Sequence, residues 1–190
     1  MKEVTLATRD ALEHARAARQ MVLLKREAID APRVDGFPLA IGSELVLLAV
    51  VDDWRFDGYA IVRLADVTEV RSNEYERFTE RVLEREGELT HLVPPAPAVP
   101  VTAWSDVFEA LRASGRYVLV HEEEYEEEPM SLGPVVAVHS DTMLLHYVGA
   151  TAEWDAEPSE IAFQDVTRVQ FGDYYSTVFA RYAETTRPEA

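Results

Sequence analysis

Apolar positions recur along this chain with two different periods, and the change from one to the other marks its elements. From Thr8 to Ala28, and on to Ile29, the residues Ala11, Ala15, Ala18, Val22 and Ile29 fall at helical spacings, which predicts an amphipathic helix that ends before Pro32. The stretch up to Gly42 carries Gly and Pro that no helix continues through. The period then drops to two: SELVLLAVV reads as a mostly buried strand, DDWRFDG as a turn, YAIVRLA as the returning strand and DVTEV as another short strand. Asn73, with Glu76 three residues on, predicts a capped helix with Tyr75, Phe78 and Val82 on one face and an end at Gly87.

HLVPPAPAVPV, residues 91–101, has four Pro in eleven residues and predicts an extended linker. Beyond it a helix starts at Thr102 or Ser105, turns Trp104, Val107, Phe108 and Leu111 inward and closes at Gly115. RYVLVHE, GPVVAVH, TMLLHYV, SEIAF and DVTRVQF follow as strands, and Asp173 caps a last helix bearing Tyr175, Val178, Phe179 and Tyr182. The expected division is 1–90, a Pro-rich linker at 91–101, and 102–190.

The two halves share more than a plan. DVTEVRSNEY (66–75) and DVTRVQFGDY (165–174) agree at five positions without a gap, and at the same offset Val62 meets Ile161 and Leu64 meets Phe163. This pattern predicts an internal structural repeat. Asp66 and Asp165 are expected to be structural turn residues that hydrogen-bond backbone amides, with Thr favouring the strand and Val the core. Short, turn-rich strands suggest an α+β chain of two related small, strongly bent antiparallel β modules, each an Sm-like or SH3-like barrel with flanking helices; a flat α+β sheet packed by helices is the alternative. The segments LLHYVGATAEWDAEPSEIAFQDVTRVQFGDYYSTVFARYAE and DDWRFDGYAIVRLADVTEVRSNEYERF resemble a group of uncharacterised bacterial proteins with a D-[IV]-T turn motif. The resemblance covers about half of the chain and implies neither an activity nor a site.

Charge narrows the functional classes. Thirty-five Asp and Glu oppose 18 Lys and Arg, a formal net charge of -17, and between Tyr117 and Thr167 there are twelve acidic residues and no Lys or Arg. Such a field repels phosphate backbones, so no nucleic-acid partner is expected. The absence of Cys fits a reducing compartment and removes thiolate chemistry. The longest apolar run, LVLLAVV, is too short to span a bilayer and the N-terminal segment lacks a signal-peptide core, so the expectation is a cytoplasmic protein with no membrane association.

Candidate chemistry is sparse. HEEEYEEEP (121–129) lacks the Gly-centred turn of a calcium loop and reads as a solvated acidic edge or loop. His139, Ser140 and Asp141 are neighbours in sequence, which suits a hairpin turn and not a catalytic relay. His121, His139 and His146 lack the spacing of metal ligands, and no glycine-rich phosphate loop or nucleophile elbow occurs. No catalytic residue, metal or cofactor is therefore expected. Trp54 and Trp154, in the two polar connections, either pack back on their modules or serve as partner contacts. The leading expectation is a non-enzymatic protein-binding or assembly module that meets a protein partner or itself. The alternatives are an acidic inhibitor or immunity-type protein that binds a basic partner, an RNA-binding Sm-like module, and a hydrolase in which the histidines converge with carboxylates.

Overall fold

A left-handed residue, Arg19 at φ 51, stops the first helix after Ala18, and Val22–Arg26, which the helical spacing assigns to that helix, is a strand. The computed structural model describes residues 6–125, 130–183 and 185. In chain order its elements are α1 (Leu6–Ala18), β1 (Val22–Arg26), β2 (Ala31–Ile41), β3 (Leu45–Asp52), β4 (Arg55–Arg63), β5 (Glu69–Arg71), α2 (Glu74–Glu86), α3 (Trp104–Ser114), β6 (Tyr117–His121), β7 (Met130–Val138), β8 (Thr142–Leu145), β9 (Ser159–Ala162), β10 (Arg168–Phe171) and α4 (Tyr174–Ala183). The protein is thus α+β. The Gly- and Pro-bearing stretch after Pro32, read above as punctuation, is the long strand β2; Pro38 is tolerated where the ladder slips at a bulge between Pro38 and Ala40. The DVT segments are not strands throughout: Leu64–Asp66 is a 3₁₀ turn, and the strand begins at Glu69.

All ten strands lie in one antiparallel sheet in the order β5-β1-β2-β3-β4-β10-β6-β7-β8-β9. The sheet is open, with β5 and β9 as its two edges. The first five strands and the last five follow the same internal order, and the match extends to single residues. Val22 pairs with Gly36 as Val118 pairs with Gly133, Val46 with Val62 as Met143 with Ile161, and Lys25 with Glu69 as His121 with Arg168. The β2–β3 ladder slips between Pro38 and Ala40, and the β7–β8 ladder slips between Val135 and Ala137. Gly115, at φ 65, follows α3 as Arg19 follows α1.

At Gly36 and Gly133 the neighbouring backbone comes closer than a side chain allows. A Cβ at Gly36 would collide with the carbonyl oxygen of Ala49, and one at Gly133 with that of His146, so the neighbouring strand lies where a side chain would begin. Only Gly permits that approach. Inside the curve of the sheet, Leu12 and Ala15 of α1 pack with Val22, Leu24, Val46, Leu48 and Val62. Phe108 and Leu111 of α3 pack with Val118, Val120, Met143 and Ile161, in a cluster that also takes in Leu45, Leu47 and Ile61 from the first half. Val99 and Val101 of the Pro-rich segment are buried in that shared cluster, and the segment is fastened further by Tyr59 donating to Val93 O (3.0 Å) and Arg116 to Ala96 O (2.6 Å).

Gly36→Ala and Gly133→Ala should each cost about 2 kcal/mol or more, because the added methyl group must displace backbone. Urea melts measure this. Unchanged midpoints would show that the close approaches do not depend on the missing side chains.

Candidate functional site

The acidic run, read as solvated, contains the most buried ion pair of the molecule's described residues. Glu123 follows β6, and its side chain is only 3% exposed; Arg26, at the end of β1, is completely buried. The Arg26 guanidinium donates to both Glu123 oxygens, with Nη2 to Oε1 at 2.9 Å, and its Nε and Nη2 donate to Pro32 O at 3.1 and 2.7 Å. Arg168 on β10 places Nη2 3.0 Å from Glu123 Oε1, and Thr167 Oγ1 lies 2.7 Å from Oε2. Burial by itself would raise the Glu123 pKa, but the Arg26 hydrogen bonds, the two guanidinium charges and the Thr167 hydroxyl hold it below the ordinary carboxylate value. Local sequence could not reveal this, because the cations arrive from 97 residues upstream and from the strand after the DVT turn. Glu124 is half-exposed beside Arg63, and Glu126, Glu127 and Glu128 lie outside the described residues.

His121 belongs to the same cluster. Its Nδ1 accepts from Arg168 Nη2 (3.2 Å), which leaves the proton on Nε2 to be donated to Gln170 Oε1 (2.9 Å). Burial and the adjacent Arg168 charge push its pKa down to about 4. The imidazole is therefore neutral and committed at both nitrogens. His146 bonds through Nε2 to Asp155 O (2.8 Å) and stacks edge-on to Trp154, while His139 closes a turn with its N–H on Thr142 O. The three histidines have separate partners. Among the described residues no group of three His, Asp or Glu side chains is placed to hold a metal ion.

In the DVT turns the residue that does the same work twice is threonine. Thr68 N–H donates to Lys25 O (2.9 Å) and Thr68 Oγ1 bridges Lys25 O and Glu27 N–H; Thr167 makes the corresponding three bonds to His121 O and Glu123 N–H. The aspartate side chains differ. Asp66 is buried and accepts from Arg63 Nε (2.6 Å), whereas Asp165 is partly exposed and meets the Tyr125 hydroxyl.

The two tryptophans also diverge. Trp154 Nε1 donates to Ala183 O (2.9 Å) and the ring packs on Tyr117 and His146. Trp54 sits at the tip of the β3–β4 hairpin, a two-residue turn in which Asp53 and Trp54 both have positive φ, 43 and 61. This turn favours Asn-Gly or Asp-Gly, and a bulky side chain in the left-handed region is strained. Trp54 nonetheless stands 49% exposed in the wall of a cleft of about 200 Å³ that Asp35, Asp52, Asp53, Arg33 and Tyr75 also line. Arg33 Nε pairs with Asp35 Oδ2 (3.2 Å), and Asp35 Oδ1 is buried with no hydrogen-bond partner among the described residues. Burial raises the Asp35 pKa against the opposing charge of Arg33.

Tyr75, which lines this cleft, and Phe78, one turn further on, are displayed because α2 is turned away from its most apolar face. The Glu76 carboxylate bonds Asn73 N–H (2.7 Å) and Arg71 Nη2 (3.1 Å), which buries Glu76, Thr79 and Leu83 and leaves both rings about half-exposed. The aromatic periodicity, legible in sequence, marks a displayed face and not a core face.

Glu123→Gln should lower stability by about 3 kcal/mol, since it leaves two buried guanidinium groups short of their counter-charge, whereas exposed Glu124→Gln should change it by less than about 0.5 kcal/mol. His121 is neutral when folded but takes up a proton near its ordinary pKa of 6.5 when unfolded, so stability should fall as pH drops from about 6.5 towards about 4. The His121 contribution to that loss is about 3 kcal/mol, and Glu123 adds to it as pH falls through its lowered folded pKa. Asp35 and Asp66, raised by burial, work in the opposite direction, since their contribution is lost as pH rises through their folded pKa values. Denaturant midpoints across pH for wild type and His121→Gln separate these effects; a pH profile unchanged by His121→Gln would exclude the histidine.

Comparison of the chain with known protein families, with curated proteins and with solved structures finds no match.

Proposed function

We propose that this chain is a non-enzymatic protein-binding module made of two related Sm-like β modules in tandem, which takes its partner at the Trp54 cleft. The observation that carries the binding role is the strained, half-exposed Trp54 itself. A turn that favours glycine instead holds the largest side chain in a costly conformation, and residues kept in such conformations concentrate at functional positions. Trp and Tyr, which line this cleft together, are among the side chains that contribute most per residue to protein interfaces. The tandem Sm-like reading is supported by the identical strand order, matched ladder slips, paired glycines and repeated threonine bonds of the two halves.

The chemistry of the cleft selects the partner. Asp35, Asp52 and Asp53 outnumber Arg33, and the Trp54 and Tyr75 rings offer faces to a cation. This favours a basic side chain presented by a protein surface, the situation of an acidic inhibitor whose net charge of -17 speeds the encounter.

Trp54→Gly should raise thermal stability, by about 1 kcal/mol, because it relieves the left-handed strain. The same variant should weaken binding of an arginine-rich probe peptide at least tenfold in a polarisation titration, and Asp52→Asn with Asp53→Asn should weaken it most at low salt, the difference from wild type shrinking as salt is added. The reading fails if wild type does not distinguish that peptide from a neutral one of equal length, or if Trp54→Gly binds as wild type does.

A further inference from the structure

The two halves are joined by an edge-to-edge ladder between β4 and β10, in which Val62 pairs with Arg168, Ile61 with Val169, Ala60 with Gln170 and Tyr59 with Phe171. By strand order and register, β9 holds in the second half the place of β4 in the first, and β5 holds the place of β10. The sheet therefore ends in the same two edges that meet at its centre. We propose that a second copy of this chain docks there: β9 of one copy pairs antiparallel with β5 of the next, head to tail. This does not depend on the Trp54 cleft.

The internal ladder fixes the register of the outer one. Transferring each pair by its equivalent position sets Glu69 opposite Ile161, Val70 opposite Glu160 and Arg71 opposite Ser159. The hydrogen-bond phase agrees. Phe163 N–H donates to Asp141 O, so along β9 the groups of Ile161 and Ser159 face β8 while the N–H and C=O of Glu160 point away from the sheet. Val70 holds the place of Val169, whose partner on β4 is Ile61, so its backbone groups face outward from β5 in the same way. Among the described residues neither edge pairs with a further strand or bridge.

The outer contact differs from the inner one in strength. Where β4 presents Ile61, fully buried, β9 presents Glu160, whose carboxylate accepts from the Thr142 hydroxyl (2.9 Å). Pro158 precedes β9 at the place of Tyr59 and shortens the ladder. A charge at an edge weakens pairing without abolishing it, so the assembly is concentration-dependent. The interface is heterologous and extends to a closed ring or an open filament.

The absence of native Cys allows a direct test on the full chain. Val70→Cys and Glu160→Cys are prepared separately and mixed under mild oxidation; opposed residues of a bonded antiparallel pair lie about 5.5 Å apart at Cα, within disulfide reach. The expected result is a disulfide-linked dimer of the two variants in the mixture, with a far lower yield from either alone. In sedimentation velocity Glu160→Ile should associate at least tenfold more tightly than wild type, and Glu160→Pro, which removes an outward N–H and no bond to β8, should sediment as one chain with an unchanged circular dichroism spectrum. Rings and filaments both support the proposal. It is overturned if the mixture cross-links no better than the separate variants, or if Glu160→Ile stays monomeric at the highest soluble concentration.

Discussion

Arg26 has no access to water, and much of the molecule's shape follows from how its charge is met. β1 and β10 are four strand steps apart in the sheet, about 19 Å if the sheet were flat. Yet Arg26 on β1 and Arg168 on β10 grip the same Glu123 carboxylate. The contact exists only because the sheet curls between them, and within that span Gly36 on β2 lets the Ala49 carbonyl of β3 occupy the space of a side chain. A buried carboxylate between two guanidinium groups contributes little net stability against apolar packing, but removing one member is expensive. It therefore acts as a lock on the relative placement of the halves more than as a source of cohesion. Cohesion comes from the shared apolar cluster of Leu45, Leu47, Ile61, Val101 and Phe108.

The same ionic cluster keeps His121 from chemistry. An imidazole with an arginine on one nitrogen and a glutamine on the other is held neutral and oriented, with no lone pair left for a metal or a proton relay. The features on which the proposed binding rests lie elsewhere, at the hairpin tip and the sheet edges. There the two halves cease to match. Trp154 folds back onto its own half while Trp54 stands out from the other, and Ile61 in the internal ladder gives way to Glu160 at the outer edge. The second difference lies where one copy of the pattern is covered by the neighbouring half and the other is a sheet edge.

Much of this fold was legible in the amino-acid order. The Asn73–Glu76 cap, the helix from Trp104 to Gly115, the strands around LVLLAVV and YAIVRLA, and the correspondence of Val62 with Ile161 are local or evenly spaced signals, and hydrophobic periodicity carries them. Three features needed the tertiary structure. β1 reads as helix because Val22 keeps the helical spacing of Ala11, Ala15 and Ala18, and only pairing with β2 and β5 makes it a strand. The orientation of α2 is set by the buried Glu76, a polar anchor that outweighs the more apolar Tyr75 and Phe78 face. Glu123 looks like one of a row of solvated glutamates until β1 and β10 deliver two arginines to it. Sequence determined which segments form helices and most of the strands, because those choices depend on neighbours a few residues away. Which charged groups are buried, which aromatic residues are displayed and which edges remain open were decided by the curled sheet, because those depend on partners that lie far along the chain.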